Sequence, residues 1–405
     1  MKMAKNKNLS TAKSVKNDEF YTQYADIQKE VSAYLEYNPD VFRGKTVLCP
    51  CDDPEWSNFT KFFAQRFDEF GLKKLISTSY AYNSKNPKPD FDWQPTLFEF
   101  ENPAYDAEKS PKHGKIFTLS DDEEPPRDLD KLKWRYLDGD GDFRSAEVSE
   151  LLKEADIVVT NPPFSLFREF ISWIFSENKK FLMIGNMNAI TYKEVFPLIM
   201  ENKLWLGATG NGSDMVFGVP EGAVVKDSDR QKAERLGYKG DYTRLGNSCW
   251  FTNMEHGRRH QSLQINKVDW NLKHSGHKNF AETGYQKYDN YDALEIPYTD
   301  LIPCDYDGVM GVPISFLDKY CPEQFEILGA TQRGCHDKVP DTKKYDDYWE
   351  CKPNGEKTGS SGGKTNENAN LLQNDERKNY FINSEGRIIQ SAYQRIFIRL
   401  KNPQK

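Results

Sequence analysis

Residues 156–164 read Asp-Ile-Val-Val-Thr-Asn-Pro-Pro-Phe. Ile157, Val158, Val159 and Thr160 are all β-branched, and such a run favours a pleated, buried strand. Pro162 and Pro163 lack the N–H that a ladder needs, so they end it. Each proline also holds the residue before it extended, which stiffens Asn161 and Pro162. The stretch therefore predicts a parallel strand that stops in a rigid loop at its carboxyl end, where open α/β sheets bind ligands. Within four residues the loop offers an amide side chain, an unpaired backbone carbonyl and an aromatic face.

Those groups suit one chemical problem. The exocyclic amine of adenine is a poor nucleophile, because its lone pair is delocalised into the ring. Two acceptors, the Asn161 side-chain oxygen and the Pro162 carbonyl, would take both of its N–H hydrogens. The nitrogen then moves toward tetrahedral geometry and aims its lone pair at an electrophile. A sulfonium methyl group needs no strong base, since the alkylated amine sheds a proton readily. Phe164 would stack on the base, which has to be flipped out of a duplex to reach the loop. The plainer reading is that Asn161 only starts the next helix and the prolines only set a turn. Both hold together if Ser165 caps a helix over Leu166–Phe175.

Upstream, Thr46–Cys49 predicts a first parallel strand, followed by the loop Pro50-Cys51-Asp52-Asp53-Pro54 and a helix through Phe59, Phe62, Phe63 and Phe67. Gly71 stops that helix, and Leu75–Ser79 predicts a second strand. Strand, loop, helix and strand begin a Rossmann-like unit. Residues 83–130 show little periodicity and read as a surface excursion, with a hairpin at Thr96–Glu101 and Lys115–Leu119. Trp134–Leu137 reads as the third strand, Lys180–Gly185 as the fifth and Leu204–Gly207 as the sixth. Met215–Val219 and Ser248–Thr252 read as late antiparallel strands. The fold class expected is α/β: a doubly wound sheet over residues 18–255, preceded by a basic arm, 1–17, and followed by a less regular region, 256–405. Residues 352–370, rich in Gly, Ser, Asn and Lys, read as a mobile segment, and Arg395–Arg399 alternates like a final strand. Asp307–Pro313 reads as a turn with close backbone approach.

The formal net charge is −7 over 405 residues, which argues against a polyanionic partner until the distribution is considered. Residues 1–16 hold five lysines and no acid. Residues 256–287 carry Arg258, Arg259, Lys267 and Lys273 among their cations, and residues 377–405 carry Arg395 and Arg399. Acid concentrates elsewhere, notably Asp121–Glu124. Segregated positive segments are what phosphate contact requires. His256, His260, His274 and His277 lack cysteines and a finger spacing, so they read as basic surface. Asp138, Asp140 and Asp142 lack the glycine placement and terminal Glu of a calcium loop, and no metal is expected. Seven cysteines without a framework spacing fit a reducing cytoplasm. The Lys- and Asn-rich N-terminus is not a secretory signal, and no apolar run approaches the ~20 residues of a membrane span.

The chain resembles the adenine-specific DNA methyltransferases of the EcoRI modification type. The resemblance rests on Asp18–Tyr24, on Cys51-Asp52-Asp53-Pro54 with Ser57-Asn58-Phe59, and on Gly139–Ser145. It continues through Asp156–Arg168, Ile190–Phe196, Lys287–Ala293 and Asp307–Pro313. It implies a class I methyltransferase sheet, S-adenosylmethionine as methyl donor and adenine N6 in a short duplex site as acceptor. By that analogy Asn161, Pro162 and Phe164 hold the flipped adenine. Phe20, Tyr21 and Thr22 contact the methionine end of the cofactor, and Asp52 and Asp53 sit in its binding loop. Asp142 and Phe143 meet its adenine. The motif order also implies a C-terminal DNA-recognition region, where Arg258, Arg259, Lys267, Lys273, Arg395 and Arg399 fall. The loop after the first strand departs from the broader adenine methyltransferases, which carry a Gly-rich turn there, and no acid closes the second strand at Ser77-Thr78-Ser79.

The leading expectation is the modification enzyme of a restriction-modification system, or a solitary relative, acting on double-stranded DNA. A cognate restriction endonuclease would share the site without direct contact. Methyl transfer to RNA adenine or protein glutamine is one alternative, and a non-catalytic DNA-binding relative is another.

Overall fold

Every residue of Ile157–Thr160 is buried, as the β-branched run predicts. The structure, a computed structural model, describes residues 20–81, 102–122, 133–209, 215–219, 225–331, 338–373 and 375–403. The basic arm 1–17, Asp18-Glu19, the Thr96–Glu101 hairpin strand, and Glu123 and Glu124 lie outside the described residues. The chain divides into two compact units. One comprises residues 1–195 and 204–257, the other residues 196–203 and 258–405.

The first unit contains Tyr21–Thr22 (β1), Tyr24–Tyr37 (α1), Thr46–Cys49 (β2), Asn58–Gln65 (α2), Lys74–Thr78 (β3), Lys115–Ser120 (β4) and Trp134–Tyr136 (β5). Ala146–Glu154 (α3), Ile157–Thr160 (β6), Phe167–Ser176 (α4), Lys180–Asn186 (β7), Trp205–Leu206 (β8), Met215–Gly218 (β9), Tyr242–Leu245 (β10) and Ser248–Thr252 (β11) follow. Eight strands form one mixed sheet in the order β5-β4-β3-β2-β6-β7-β11-β8. β3, β2, β6 and β7 are parallel neighbours. From β2 the chain adds β3 on one side and β6 and β7 on the other, so the strand order reverses between β2 and β6.

Alternation places the core on both faces. Val47, Cys49, Ile157, Val159, Leu182 and Ile184 cluster with Ile27 and Val31 of α1 and with Phe59, Phe62 and Phe63 of α2. The residues between them, Leu48, Val158, Phe181 and Met183, are equally buried and face the other side. There Phe175 of α4 meets Phe181 edge-on, with ring centroids 5.7 Å apart. Ser57 caps α2 by accepting from Phe59 N and Thr60 N, and Gly71, with φ +61°, closes the turn after Phe70.

The sequence reading needs correction in three places here. Lys115–Ser120 is no surface hairpin; it pairs antiparallel with β3, and Trp134–Tyr136 lies at the sheet edge outside it rather than as a third parallel strand. Apolar Ile116, Phe117 and Leu119 explain the placement, since each is buried. Ser165 caps nothing. It lies in a 3₁₀ turn, Phe164–Leu166, and α4 starts at Phe167 without a side-chain cap. Met215–Gly218 is antiparallel as expected, but it sits in a separate three-stranded sheet between β1 and β10. Ser248–Thr252 is antiparallel to β7.

The second unit holds two five-stranded sheets. In one, Arg395–Leu400 lies between Met310–Pro313 and Phe325–Ala330. The turn read at Asp307–Pro313 is corrected, since Met310–Pro313 is a strand, but the close approach is there: a Cβ on Gly311 would lie 2.4 Å from the Tyr288 hydroxyl oxygen. The other sheet corrects the mobile-segment expectation. Lys357–Ser361 pairs with Trp349–Cys351, and Asn370–Leu371 pairs with Ile388–Ser391. Thr365 and Asn370 are fully buried and bonded to each other at 2.7 Å, so the polar segment is knitted by side-chain hydrogen bonds beside a small apolar cluster of Tyr345, Tyr348, Phe381 and Ile389.

Candidate functional site

The loop after β6 is Asn161-Pro162-Pro163-Phe164. Asn161 Nδ2 donates to the Phe20 carbonyl at 2.7 Å. Only the NH₂ end of an amide can donate to a carbonyl, so this contact fixes which way the side chain faces. Its Oδ1 is buried and has no hydrogen-bond partner. Leaving such an acceptor unpaired costs about 1–3 kcal/mol, which marks it as reserved for something that binds. Among the described residues nothing donates to the Pro162 carbonyl, whereas the Pro163 carbonyl accepts from Leu166 N at 2.9 Å. Half-buried Phe164 lies 5.9 Å from Phe20, centroid to centroid, and Phe20 meets Phe217 of β9 at 6.0 Å.

β1 is held beside this loop from two directions. It pairs with β9, and Asn58 Nδ2 donates to the Thr22 carbonyl at 2.7 Å. Thr22 is 3% exposed, and its Oγ1 is a second buried oxygen without a partner. The side chain of Tyr21 lies over Gly218. Phe20, Tyr21 and Thr22 thus stand together with Asn161.

Asp52 does not present its carboxylate outward. Its Oδ1 accepts from Ser57 Oγ at 2.7 Å and its Oδ2 from Thr160 Oγ1 at 2.6 Å. Burial pushes this carboxyl up to about 7, against the two hydrogen bonds that favour the anion. This carboxylate, expected in the cofactor loop, is 5% exposed, and each of its oxygens faces an internal hydroxyl. Asp53 is the more open of the pair, facing Lys115 Nζ at 3.4 Å.

The loop 138–145 is pressed against the end of β3. A Cβ on Gly141, whose φ is +78°, would lie 2.0 Å from the Ser79 carbonyl, and one on Gly114 2.3 Å from the same oxygen. Asp142 follows at 8% exposure, forked to Arg144 through bonds of 2.9 and 2.8 Å. Phe143 is a core residue, packed on Phe170 at 5.0 Å and Trp173 at 5.4 Å. This residue, expected to meet the adenine of the cofactor, is 4% exposed and has its ring edges against α4.

The basic candidates separate by environment. Arg258 is ion-paired with Asp318. Arg259 is buried and donates to Asn202 at 3.1 Å. Arg395 is buried against Glu295 at 2.6 Å, and Glu295 also accepts from Tyr288. Arg259 and Arg395 are buried and leave the set of surface cations, the first beside an amide and the second beside an acid from distant sequence, whereas the Arg258 side chain stays 37% exposed beside its acid. Lys267, Lys273 and Arg399 are exposed. The two lysines border an open groove of about 460 Å³ with Trp270 and His274, whose rings stack at 4.8 Å. Trp270 is 49% exposed and was not singled out in the sequence. His256 bonds the Leu206 carbonyl, His260 faces Glu323, and His277 stacks on Tyr298 beside Asp300. Among the described residues no group of three potential metal ligands gathers.

Comparison with known proteins places the chain in a family. Residues 8–401 match the family model described as adenine-specific methyltransferase EcoRI. The chain is 42% identical over 326 residues to the type II methyltransferase M.EcoRI of Escherichia coli, covering 80% of this chain and 89% of that protein. It is 35% identical over 318 residues to the type II methyltransferase M.MpnI of Mycoplasma pneumoniae, covering 78% and 83%. It is also 35% identical over 323 residues to M.MgeORF184P of Mycoplasma genitalium, covering 78% and 84%. No solved structure matches. A match across nearly the whole chain makes this protein a member of the EcoRI adenine-specific methyltransferase family.

Proposed function

We propose that the protein is a site-specific DNA methyltransferase that moves a methyl group from S-adenosylmethionine to adenine N6 in a short duplex sequence, as the modification arm of a restriction-modification system. A cognate endonuclease would act at the same sequence without touching this chain. Family membership makes it an adenine-specific methyltransferase. The observation that carries the mechanism is the buried, unpartnered Asn161 Oδ1, held in place from its other end by Phe20.

Asn161 Oδ1 accepts one hydrogen of the adenine amine and the Pro162 carbonyl accepts the other. Together they hold the nitrogen with its lone pair exposed. Phe164 stacks on the base, which is extruded from the duplex to reach the loop. Holding the amine in a reactive pose is the protein's main contribution, since effective molarity replaces encounter. The cofactor, when bound, supplies an activated methyl on a sulfonium centre. The chain's groups suited to it are the orphaned Thr22 Oγ1, the Phe20–Tyr21 segment, Asp53, and the Asp142 loop behind Ser79. A Rossmann-like class I assignment of the mixed sheet is supported by the order reversal between β2 and β6, where both loops emerge. Residues 258–403 serve DNA recognition in this reading, with Lys267, Lys273 and Arg399 as phosphate contacts. No helix among the described residues is long and apolar enough to cross a membrane, which is compatible with work in the cytoplasm.

The test offers duplex DNA, RNA and protein in parallel with labelled cofactor. Label is expected in duplex DNA alone and is expected to vanish with Asn161→Ala. Sequencing DNA from expressing cells, with modified-base detection, then names the site. Label entering only RNA or protein would overturn the assignment.

A further inference from the structure

The geometry points to Asp52 as a positioning residue for methyl transfer, bracing Thr160 and thereby the Asn161 amide from the far side of the order reversal; this rests on the function proposed above. All four polar atoms of Asp52 are engaged. Its N–H donates to the Thr78 carbonyl at 2.9 Å, and its own carbonyl accepts from Ser77 Oγ at 2.5 Å. Its carboxylate takes the hydroxyls of Ser57, the cap of α2, and of Thr160, the last residue of β6. One buried residue therefore ties β3 through its main chain, and β6 and the start of α2 through its side chain, to the loop after β2.

Stability alone does not call for a carboxylate here. Among the described residues no cation pairs with it, and an apolar or amide side chain would avoid the cost of burying charge. The titratable groups around it oppose ionisation as well. Asp53 raises its pKa, and the thiols of buried Cys49 and half-buried Cys51 lie beside it, with Asp142 acting on Cys51 in turn. What the anion does uniquely is accept from two hydroxyls at once. That locks the χ1 of Thr160 immediately before the residue whose amide must be held, and a 1 Å error in such a group costs about 10²-fold in rate.

The test uses the full chain with duplex DNA and S-adenosylmethionine under single-turnover conditions across pH, with melting temperatures measured alongside. Thr160→Val, which keeps the shape and deletes the donor, is expected to slow transfer about 10–100-fold with the KM for cofactor little changed. Thr160→Ser is expected to restore the rate to within a few-fold. The wild-type rate should rise through the region of about 7 as the carboxyl ionises, and Asp52→Asn should flatten that rise. Thr160→Val at the wild-type rate, or Thr160→Ser as slow as Thr160→Val, would overturn the brace. The side-chain amide resonance of Asn161 reads the brace without any methyl transfer. It should shift in Thr160→Val and hold in Thr160→Ser. That pattern in a protein that methylates nothing would keep the brace and overturn the proposed activity instead.

Discussion

Asn161 and Phe20 stand 141 positions apart in sequence, and the side-chain amide of the first donates to the main-chain carbonyl of the second at 2.7 Å. Main chain cannot be substituted away, so the amide's orientation is independent of the identity of residue 20. Asn161→Ala is expected to lower methyl transfer by at least about 10²–10³-fold, the scale seen for loss of a preorganised polar contact. Fold and cofactor binding should persist. Asn161→Asp should be nearly as damaging, because a carboxylate set against the Phe20 carbonyl has no hydrogen to donate. Methylation of duplex DNA at saturating cofactor checks both, and a near-normal Asn161→Asp would contradict the orientation argument.

Thr22 offers a cleaner separation of binding from folding. Replacing its unpaired, buried hydroxyl by the methyl of Thr22→Val removes an unsatisfied oxygen at constant shape. Melting temperature should stay level or rise, since an orphaned polar group is a net cost. Affinity for S-adenosylmethionine, measured by calorimetry, should fall about tenfold, or roughly 1.4 kcal/mol. Unchanged affinity would remove Thr22 from the cofactor site.

The elevated Asp52 carboxyl also makes stability depend on pH. Its folded pKa, about 7, lies above the ordinary value of 3.8, so the folded state binds the proton more tightly than the unfolded chain does. That contribution is full below the ordinary value and is lost as pH rises through about 7. Asp52→Asn does not titrate. Relative to wild type, the variant should gain about 2–3 kcal/mol of stability between about pH 5 and about pH 8. Urea denaturation at the two pH values measures the difference, and parallel curves would show that the group is ionised throughout.

Two classes of cation should behave differently in the C-terminal unit. Arg395→Ala strands Glu295 in a buried position and should destabilise by about 3–5 kcal/mol. Lys267→Ala and Lys273→Ala should leave the melting temperature unchanged. Each should instead weaken DNA binding at every sequence and reduce the slope of log affinity against log salt by about 1. An unaltered slope in both lysine variants would move the phosphate contacts elsewhere.

The parallel strands were legible because burial on both faces leaves an unbroken apolar run, as in Ile157–Thr160 and Phe181–Ile184. The Asn161 loop was legible because two prolines admit few conformations. Lys115–Ser120 was not, since nothing local marks a short strand as interior when its partner, Lys74–Thr78, lies some forty residues earlier. The same limit governs charge. Arg395 reads as surface until Glu295, 100 positions away, is folded against it. Phe143 carried a family role in sequence and a packing role in structure, because an aromatic letter does not say which neighbour covers it. The bond from Thr160 to Asp52 spans 108 positions and had no local signature.

The short helix Phe196–Met200 belongs to the C-terminal unit although it is encoded inside the N-terminal one, and its Phe196 and Ile199 are buried. A fragment starting at Arg258 would lack this plug, and the complementary fragment would carry it with nothing to fill. Anyone splitting the gene for separate expression, or recombining halves from two relatives, has to carry residues 196–203 across the cut. Swaps made at residue 257 alone would give two sticky halves, whatever the quality of each half's own core.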